Sequence, residues 1–212
     1  CACSGVGYCY PEAYASRYDH PDRVFDGFLD LTRQYMERTD ERGLWTHSAG
    51  EDTLRRYAAA LPAAEYFLPD YGLQPDTTVA NANSLVGGVP AFHAVCGFDP
   101  KGGPERAREL LLADIRRFTP TTRPAFLNAF VQCYPVSPTL LKQVLDELGP
   151  EYVPVLPEHL AALYRQAQTP WASPQAPAST RPKTGDRPEW SALKHNARGV
   201  CCITSVAGAV AE

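Results

Sequence analysis

A short loop near the start of the chain combines two glycines with two tyrosines. Its sequence is Gly5-Val6-Gly7-Tyr8-Cys9-Tyr10-Pro11. Glycines let the backbone approach a ligand closely, and a proline fixes the direction in which the chain leaves the loop. Tyrosine rings offer flat apolar faces for stacking on pyranose rings, and their hydroxyls can form hydrogen bonds. The loop is therefore suited to binding a sugar, although a purely structural role for both tyrosines is an equal alternative.

Three carboxylates lie directly after this loop or after predicted strands. Paired carboxyl groups can act as general acid and general base, and in parallel α/β folds such groups lie at the carboxyl ends of strands. This rule nominates Glu12, Asp70 and Asp99 as catalytic residues. Side chains that can form hydrogen bonds to a substrate at the same edge are His47, His93, Asn128, Gln132 and Tyr134. Each carboxylate is also compatible with a solvated loop position or a helix cap.

Two other kinds of site are disfavoured. A phosphate-binding loop needs a preceding strand, a third glycine and a following helix, whereas Pro11 here has no N–H to donate. A structural metal site would require repeated Cys-x-x-Cys or Cys/His spacing, and the seven cysteines do not show it. Cys96 and Cys133 are predicted to be small buried hydrophobic residues in strands. No metal and no cofactor is predicted.

Strand and helix patterns alternate along residues 43–168, after a first helix at 21–38. Predicted strands cover residues 44–47, 65–68, 89–95, 125–131 and 152–156, and helices follow at about 48–61, 104–118, 137–148 and 157–164. Residues 71–88 are rich in Pro, Asp, Asn and Gly and are predicted to form a long loop. Repeated strand–helix units indicate an α/β fold with a largely parallel sheet.

Composition limits the possible partners. The chain has 212 residues, a net charge of −4 and 21% charged residues. This mildly acidic balance, without a basic block, argues against nucleic acid as the main partner. No stretch approaches the roughly 18 apolar residues of a membrane helix. The composition is that of a soluble globular protein.

The two ends of the chain differ from its middle. The sequence begins at Cys1 and its only methionine is Met36, which favours a processed chain or a fragment without its front. Residues 169–198, rich in proline, are predicted to form a linker or disordered tail. Residues 199–212 form a short apolar tail to which the sequence assigns no role. Residues 1–168 are therefore the predicted domain.

The loop resembles the defining motif of a known family. Gly5-Val6-Gly7-Tyr8-Cys9-Tyr10-Pro11 matches G-x-G-Y-x-Y-P, after which the GxGYxYP family of putative glycoside hydrolases is named. The resemblance covers about residues 4–166 and includes three further segments, Tyr35–Asp40, Arg123–Leu127 and Leu148–Arg165. It implies that the chain is the C-terminal part of a (β/α) barrel-like domain, with a carbohydrate substrate. It also implies a bacterial-type protein that is secreted or extracytoplasmic.

The resemblance and the residues together favour hydrolysis of a glycosidic bond by carboxylates at strand ends. Substrate would contact the motif loop and the strand edge through Gly5, Gly7, Tyr8, Tyr10, Pro11, His47, His93, Gln132 and Tyr134. One alternative is a non-catalytic carbohydrate-binding or structural fragment, since part of the acid pair could lie before Cys1. Another is a metal-dependent sugar deacetylase-like barrel, with His47, His93 and Asp99 as ligands.

Overall fold

The computed structural model describes residues 2–3, 5–7, 9–47, 49–97, 101–131, 136–168 and 201–207. The strands are β1 (Ala2–Cys3), β2 (Gly43–Trp45), β3 (Tyr66–Leu68), β4 (Asn83–Val86), β5 (Val89–Phe92), β6 (Ala125–Val131), β7 (Tyr152–Pro154) and β8 (Cys201–Ala207). The helices are α1 (Pro11–Ala15), α2 (Pro21–Thr39), α3 (Glu51–Ala60), α4 (Gly103–Phe118), α5 (Pro138–Leu148) and α6 (Pro157–Gln168). No helix in these described ranges is both long and apolar enough to cross a bilayer.

Local sequence signals account for the helix boundaries. Helix α2 begins with Pro21, whose fixed backbone angle suits a first helical position, and ends at Asp40 in the left-handed conformation (φ 54°). Helix α5 begins after Ser137, whose hydroxyl accepts a hydrogen bond from the Leu140 amide at 3.2 Å. The start of α5 at Ser137-Pro138 is the one predicted from the sequence.

The strands form two sheets that meet at the end of β5. The first has the order β1-β2-β3-β5-β4 and the second β6-β8-β7. All pairs are parallel except β4 with β5. A parallel bridge between Ala94 and Asn128, with a 3.0 Å hydrogen bond from the Val95 amide to the Asn128 carbonyl, joins the two sheets. The predicted α/β class and largely parallel sheet are therefore confirmed.

Helices cover both faces of this surface because side chains alternate along each strand. Leu44, Phe67 and Ala91 pack on one face with α2 and α3. On the opposite face, α6 contributes Leu160, Ala161 and Tyr164 to a cluster with aromatic residues of β2, β3, β5 and β6. In a closed (β/α) barrel one face of the strands lines the interior. The described strands instead form an open arrangement with α6 on that second face, so the barrel-like closure stays a prediction.

The predicted loop over residues 71–88 is wrong in its last part. Asn83–Val86 forms β4, which pairs with β5 in an antiparallel hairpin whose turn is Gly87-Gly88. Both glycines have positive φ angles, 57° and 83°, as the tight hairpin turns that match strand twist require. The Gly-Gly pair is typical of a hairpin turn, but the four residues of β4 lie among so many polar residues that the segment has the composition of a loop.

The end of the chain also enters the fold. Strand β8 lies between β6 and β7, pairing Ala125 with Cys201 and Tyr152 with Cys201 in parallel register. These seven residues belong to the apolar segment 199–212, to which sequence analysis assigns no role. The predicted proline-rich segment, residues 169–198, lies outside the described residues.

Candidate functional site

A run of aromatic side chains lies where the parallel strands end. We call it the aromatic surface and define it as Tyr10, Trp45, His47, Tyr71 and Phe130. Neighbouring ring centroids are 5.0 Å apart for Tyr71–Phe130, 5.4 Å for Trp45–Tyr71, 4.4 Å for Trp45–His47 and 5.2 Å for Tyr10–His47. The Trp45 and Tyr71 rings are stacked, with their planes nearly parallel at 12°. The run leads from buried Phe130 to Tyr10, which is 52% exposed.

A carboxylate–histidine pair adjoins this surface. Asp70 Oδ2 accepts hydrogen bonds from His93 Nδ1 at 2.7 Å and from the Ala94 amide at 3.1 Å. The Asp70 carbonyl accepts the indole N–H of Trp45 at 2.7 Å, which ties the pair to the aromatic surface. The Asp70 side chain is 5% exposed and the His93 side chain 29%. A buried carboxylate therefore orients a histidine that solvent reaches.

The two histidines of the site have opposite electrostatic environments. The hydrogen bond to Asp70 raises the pKa of His93 above its ordinary value, more than burial opposes it. Burial lowers the pKa of His47, which is 2% exposed and adopts a left-handed backbone angle (φ 44°). Near neutral pH, His93 is thus the histidine that more readily holds a proton, while His47 stays neutral beside Trp45.

Glu12 is held by a different part of the protein. It lies in the first turn of α1, is exposed, and accepts a hydrogen bond from the Thr53 hydroxyl of α3. The Asp70 carboxylate is bound by His93 and Ala94, which directly follow β5. The two predicted carboxylates that the structure describes therefore have separate partners, and the hydrogen bonds do not join them into a pair.

The two motif glycines differ in what surrounds them. Gly5 is buried with φ 104°, and a Cβ built on it would overlap the Thr32 side chain, with Cγ2 only 2.6 Å away. Thr32 also accepts the Val6 amide at 3.2 Å, which fixes the loop on α2. Around Gly7 a Cβ would meet nothing within 4 Å. Gly5 is thus required by packing, whereas Gly7 leaves its backbone open to the outside.

Comparison with known proteins identifies the family. A family model described as the GxGYxYP putative glycoside hydrolase C-terminal domain matches residues 1–165. The chain belongs to the GxGYxYP family. No curated protein and no solved structure matches it. In this GxGYxYP domain the motif follows β1 and leads into α1, where Pro11 is buried at the first helical position.

The contrast between the motif glycines gives a first prediction. Gly5→Ala is expected to lower the free energy of unfolding by about 1–3 kcal/mol, because the new methyl group overlaps Thr32 and the backbone angle disfavours any side chain. Gly7→Ala is expected to leave the stability within about 0.5 kcal/mol of wild type. Urea denaturation of both variants measures the difference. Equal destabilisation would show that Gly7 also serves packing.

Several predicted site residues lie outside the described residues of the GxGYxYP domain: Tyr8, Asp99, Gln132 and Tyr134, together with Cys133. Cys96, in contrast, is fully buried as predicted, although it follows β5 rather than lying within it. In the ranges that the structure does describe, no group of three His, Cys, Asp or Glu side chains is arranged to hold a metal. Asp99, the third ligand of the alternative metal site, falls outside them.

Sequence reasoning missed part of the site. Trp45, Tyr71 and Phe130 carry most of the aromatic surface, and Thr53 holds Glu12. Trp45 ends β2 and Tyr71 follows Asp70, so the rule that selected Asp70 and His47 could have found both. Asn128, expected to face a substrate, instead donates its side-chain amide to the Phe92 carbonyl at 3.0 Å and joins β6 to β5.

Proposed function

We propose that this chain forms part of a glycoside hydrolase and binds carbohydrate at the accessible end of the aromatic surface, over Tyr10 and the half-buried Tyr71. The observation that carries the proposal is the unbroken contact from Phe130 to Tyr10 at the carboxyl edge of the strands, beside Asp70. Flat apolar faces with polar groups at their margin suit sugar rings, which combine C–H faces with hydroxyl edges. This edge is also where (β/α) barrel-like domains bind substrates.

The proposed chemistry is acid–base cleavage of a glycosidic bond. A general acid gives a proton to the leaving oxygen, the bond to the anomeric carbon breaks, and water adds there while its proton passes to a base. We assign the acid to the Asp70–His93 pair, in which Asp70 binds His93 Nδ1 and so positions the ring, with Nε2 as the proton donor. Glu12 and Asp99 are the proposed carboxylates for the remaining role.

A non-catalytic carbohydrate-binding role is the second candidate. It is favoured by the separate hydrogen-bond partners of Glu12 and Asp70, because hydrolysis normally needs two carboxyl groups facing one bond. The two candidates share sugar binding at the aromatic surface. They differ in whether sugar is released.

Tyr10 provides the test of sugar binding because it is exposed and ends the aromatic surface. Tyr10→Ala is expected to weaken binding of soluble oligosaccharides about three- to tenfold, measured by calorimetry, because one stacking face is lost. Tyr35→Ala, at a 40% exposed position of α2, is the matched control and should bind as wild type does. Equal affinities for the two variants would contradict the proposal. Release of reducing sugar by the full-length protein then separates hydrolysis from binding alone.

A further inference from the structure

Three tyrosines continue outward from the aromatic surface along α1. Tyr10, Tyr14 and Tyr18 are 52%, 45% and 47% exposed. The Tyr14 amide donates to the Tyr10 carbonyl at 2.9 Å and the Tyr18 amide to the Ala15 carbonyl at 3.1 Å, so the helical course extends past the end of α1. Residues four apart on a helix share a face. We call this face the tyrosine stripe.

The exposed rings of the stripe each contact another ring. Tyr18 donates its hydroxyl to the Tyr14 hydroxyl at 2.9 Å, and the two ring centroids are 5.3 Å apart. Tyr10 contacts His47 at the other end of the stripe. Two χ angles define a tyrosine ring, so little conformational entropy is lost when such a side chain binds a ligand. The stripe is thus an ordered surface that begins at the proposed sugar site.

We propose that the tyrosine stripe binds successive units of a linear, neutral oligosaccharide whose first unit lies at Tyr10. This inference rests on the proposed function and extends it from a single sugar to a chain. The stripe offers stacking faces and hydroxyl hydrogen bonds and carries no carboxylate or ammonium group of its own, so it does not select an ionic ligand.

The residues around the tyrosine stripe favour a glycan over a protein as its ligand. Protein-binding patches surround aromatic anchors with a buried apolar centre. Here the exposed neighbours of the tyrosines are mainly polar or charged: Glu12, Ala13, Ser16, Arg17, Asp19 and His20. Single rings between polar side chains match a ligand whose apolar faces alternate with hydroxyl groups.

The ring angles favour a soluble chain over a flat crystalline polysaccharide. Tyr14 and Tyr18 are inclined at 62°, and Tyr10 and His47 at 53°. A flat crystal face would need coplanar rings to contact all of them at once. Inclined rings instead suit a single chain that can turn from one sugar unit to the next.

The test is the dependence of affinity on chain length. Malto-, cello- and chito-oligosaccharides of two to six units are titrated calorimetrically into the full 212-residue chain. With the series that binds, wild type should gain affinity with length. Tyr14→Ala and Tyr18→Ala should bind the disaccharide as wild type does but lose about three- to tenfold of the affinity for the hexasaccharide. Tyr14→Phe, which keeps the ring, should retain most of it, and Tyr35→Ala should match wild type.

The possible results separate this inference from the proposed function. If Tyr10→Ala weakens disaccharide binding but chain length adds nothing, the stripe proposal fails and the sugar site at Tyr10 stands. If no series binds the wild-type chain, both fail. Retention on crystalline cellulose or chitin without affinity for the soluble chains would also overturn the stripe proposal, as would a change in self-association of Tyr14→Ala without a change in sugar binding.

Discussion

Asp70→Asn is expected to reduce the turnover number for glycoside hydrolysis at least about a hundredfold in the full-length protein, the usual size of a general acid–base contribution. Asparagine keeps an oxygen for the Ala94 amide, so the local fold should survive. It removes the negative charge that favours protonated His93 and changes the group that holds Nδ1. The acid would therefore be both less protonated and less well oriented.

The same substitution should change the pH dependence in a defined direction. Asp70 raises the pKa of His93, so in wild type the protonated imidazole persists at pH values where an ordinary histidine has lost its proton. Its stabilising effect on the fold is complete below about pH 6.5 and disappears as the pH rises through the raised pKa. In Asp70→Asn the basic limb of the activity profile and the His93 titration followed by NMR should both move to lower pH.

Asp114 offers a matched control for this experiment. It is also a buried carboxylate that accepts a backbone amide, from Gly97 at 2.7 Å, but among the described residues no histidine is hydrogen-bonded to it. Asp114→Asn is expected to keep the wild-type turnover and pH profile. An equal loss in both variants, or an unshifted His93 titration in Asp70→Asn, would contradict the role given to the pair.

Gly43→Ala is expected to destabilise the domain by about 1–3 kcal/mol. Gly43 in β2 pairs with Tyr66 in β3, and a Cβ built on Gly43 would overlap the Tyr66 ring, with the hydroxyl oxygen 2.5 Å away. Tyr66 is 2% exposed and has no open space into which to move. Because β2 carries Trp45, the displacement should also weaken sugar binding.

Chemical denaturation of a double-mutant cycle measures this clash. Combining Gly43→Ala with Tyr66→Leu should cost less than the sum of the two single changes, by about 0.5–3 kcal/mol. Gly27→Ala is the control and should stabilise the domain. A Cβ there meets nothing within 4 Å, and alanine is more stable than glycine in a helix interior by about 0.5–1 kcal/mol. Additive costs in the cycle would show that the ring does not cause the loss.

The sequence predicted which residues lie at the carboxyl edge of the sheet better than it predicted which of them contact each other. Asp70 was selected because it follows a predicted strand and His93 because it lies near the end of another, and that rule gives an edge rather than a distance. Their pairing depends on the order in which β3 and β5 lie side by side, which periodicity does not encode. Glu12 was selected because it adjoins the motif, but the start of α1 at Pro11 places it in a helical turn beside Thr53.

Strands β4 and β8 were also not predicted from the sequence. A seven-residue strand such as β6 is predicted at its observed bounds, Ala125–Val131, because apolar residues fill every position except Asn128. Four residues of β4 carry too little pattern to outweigh the surrounding turn residues. Strand β8 follows a proline-rich segment and finds its partners far back in the chain, so nothing local indicates the pairing.

That pairing has a consequence for how the chain folds. The first sheet is built from segments between residues 2 and 92, so its contacts can form while the rest of the chain is still being synthesised. In the second sheet, β6 cannot pair with β8 until β8 has been synthesised, because Ala125 pairs with Cys201. Until then the backbone groups on one side of β6 and of β7 lack their strand partner, and such open edges favour pairing with other chains. Strand β8, which is synthesised after both of its partners, therefore protects a nascent chain from aggregation, and shortening the chain before residue 201 would prolong that exposure.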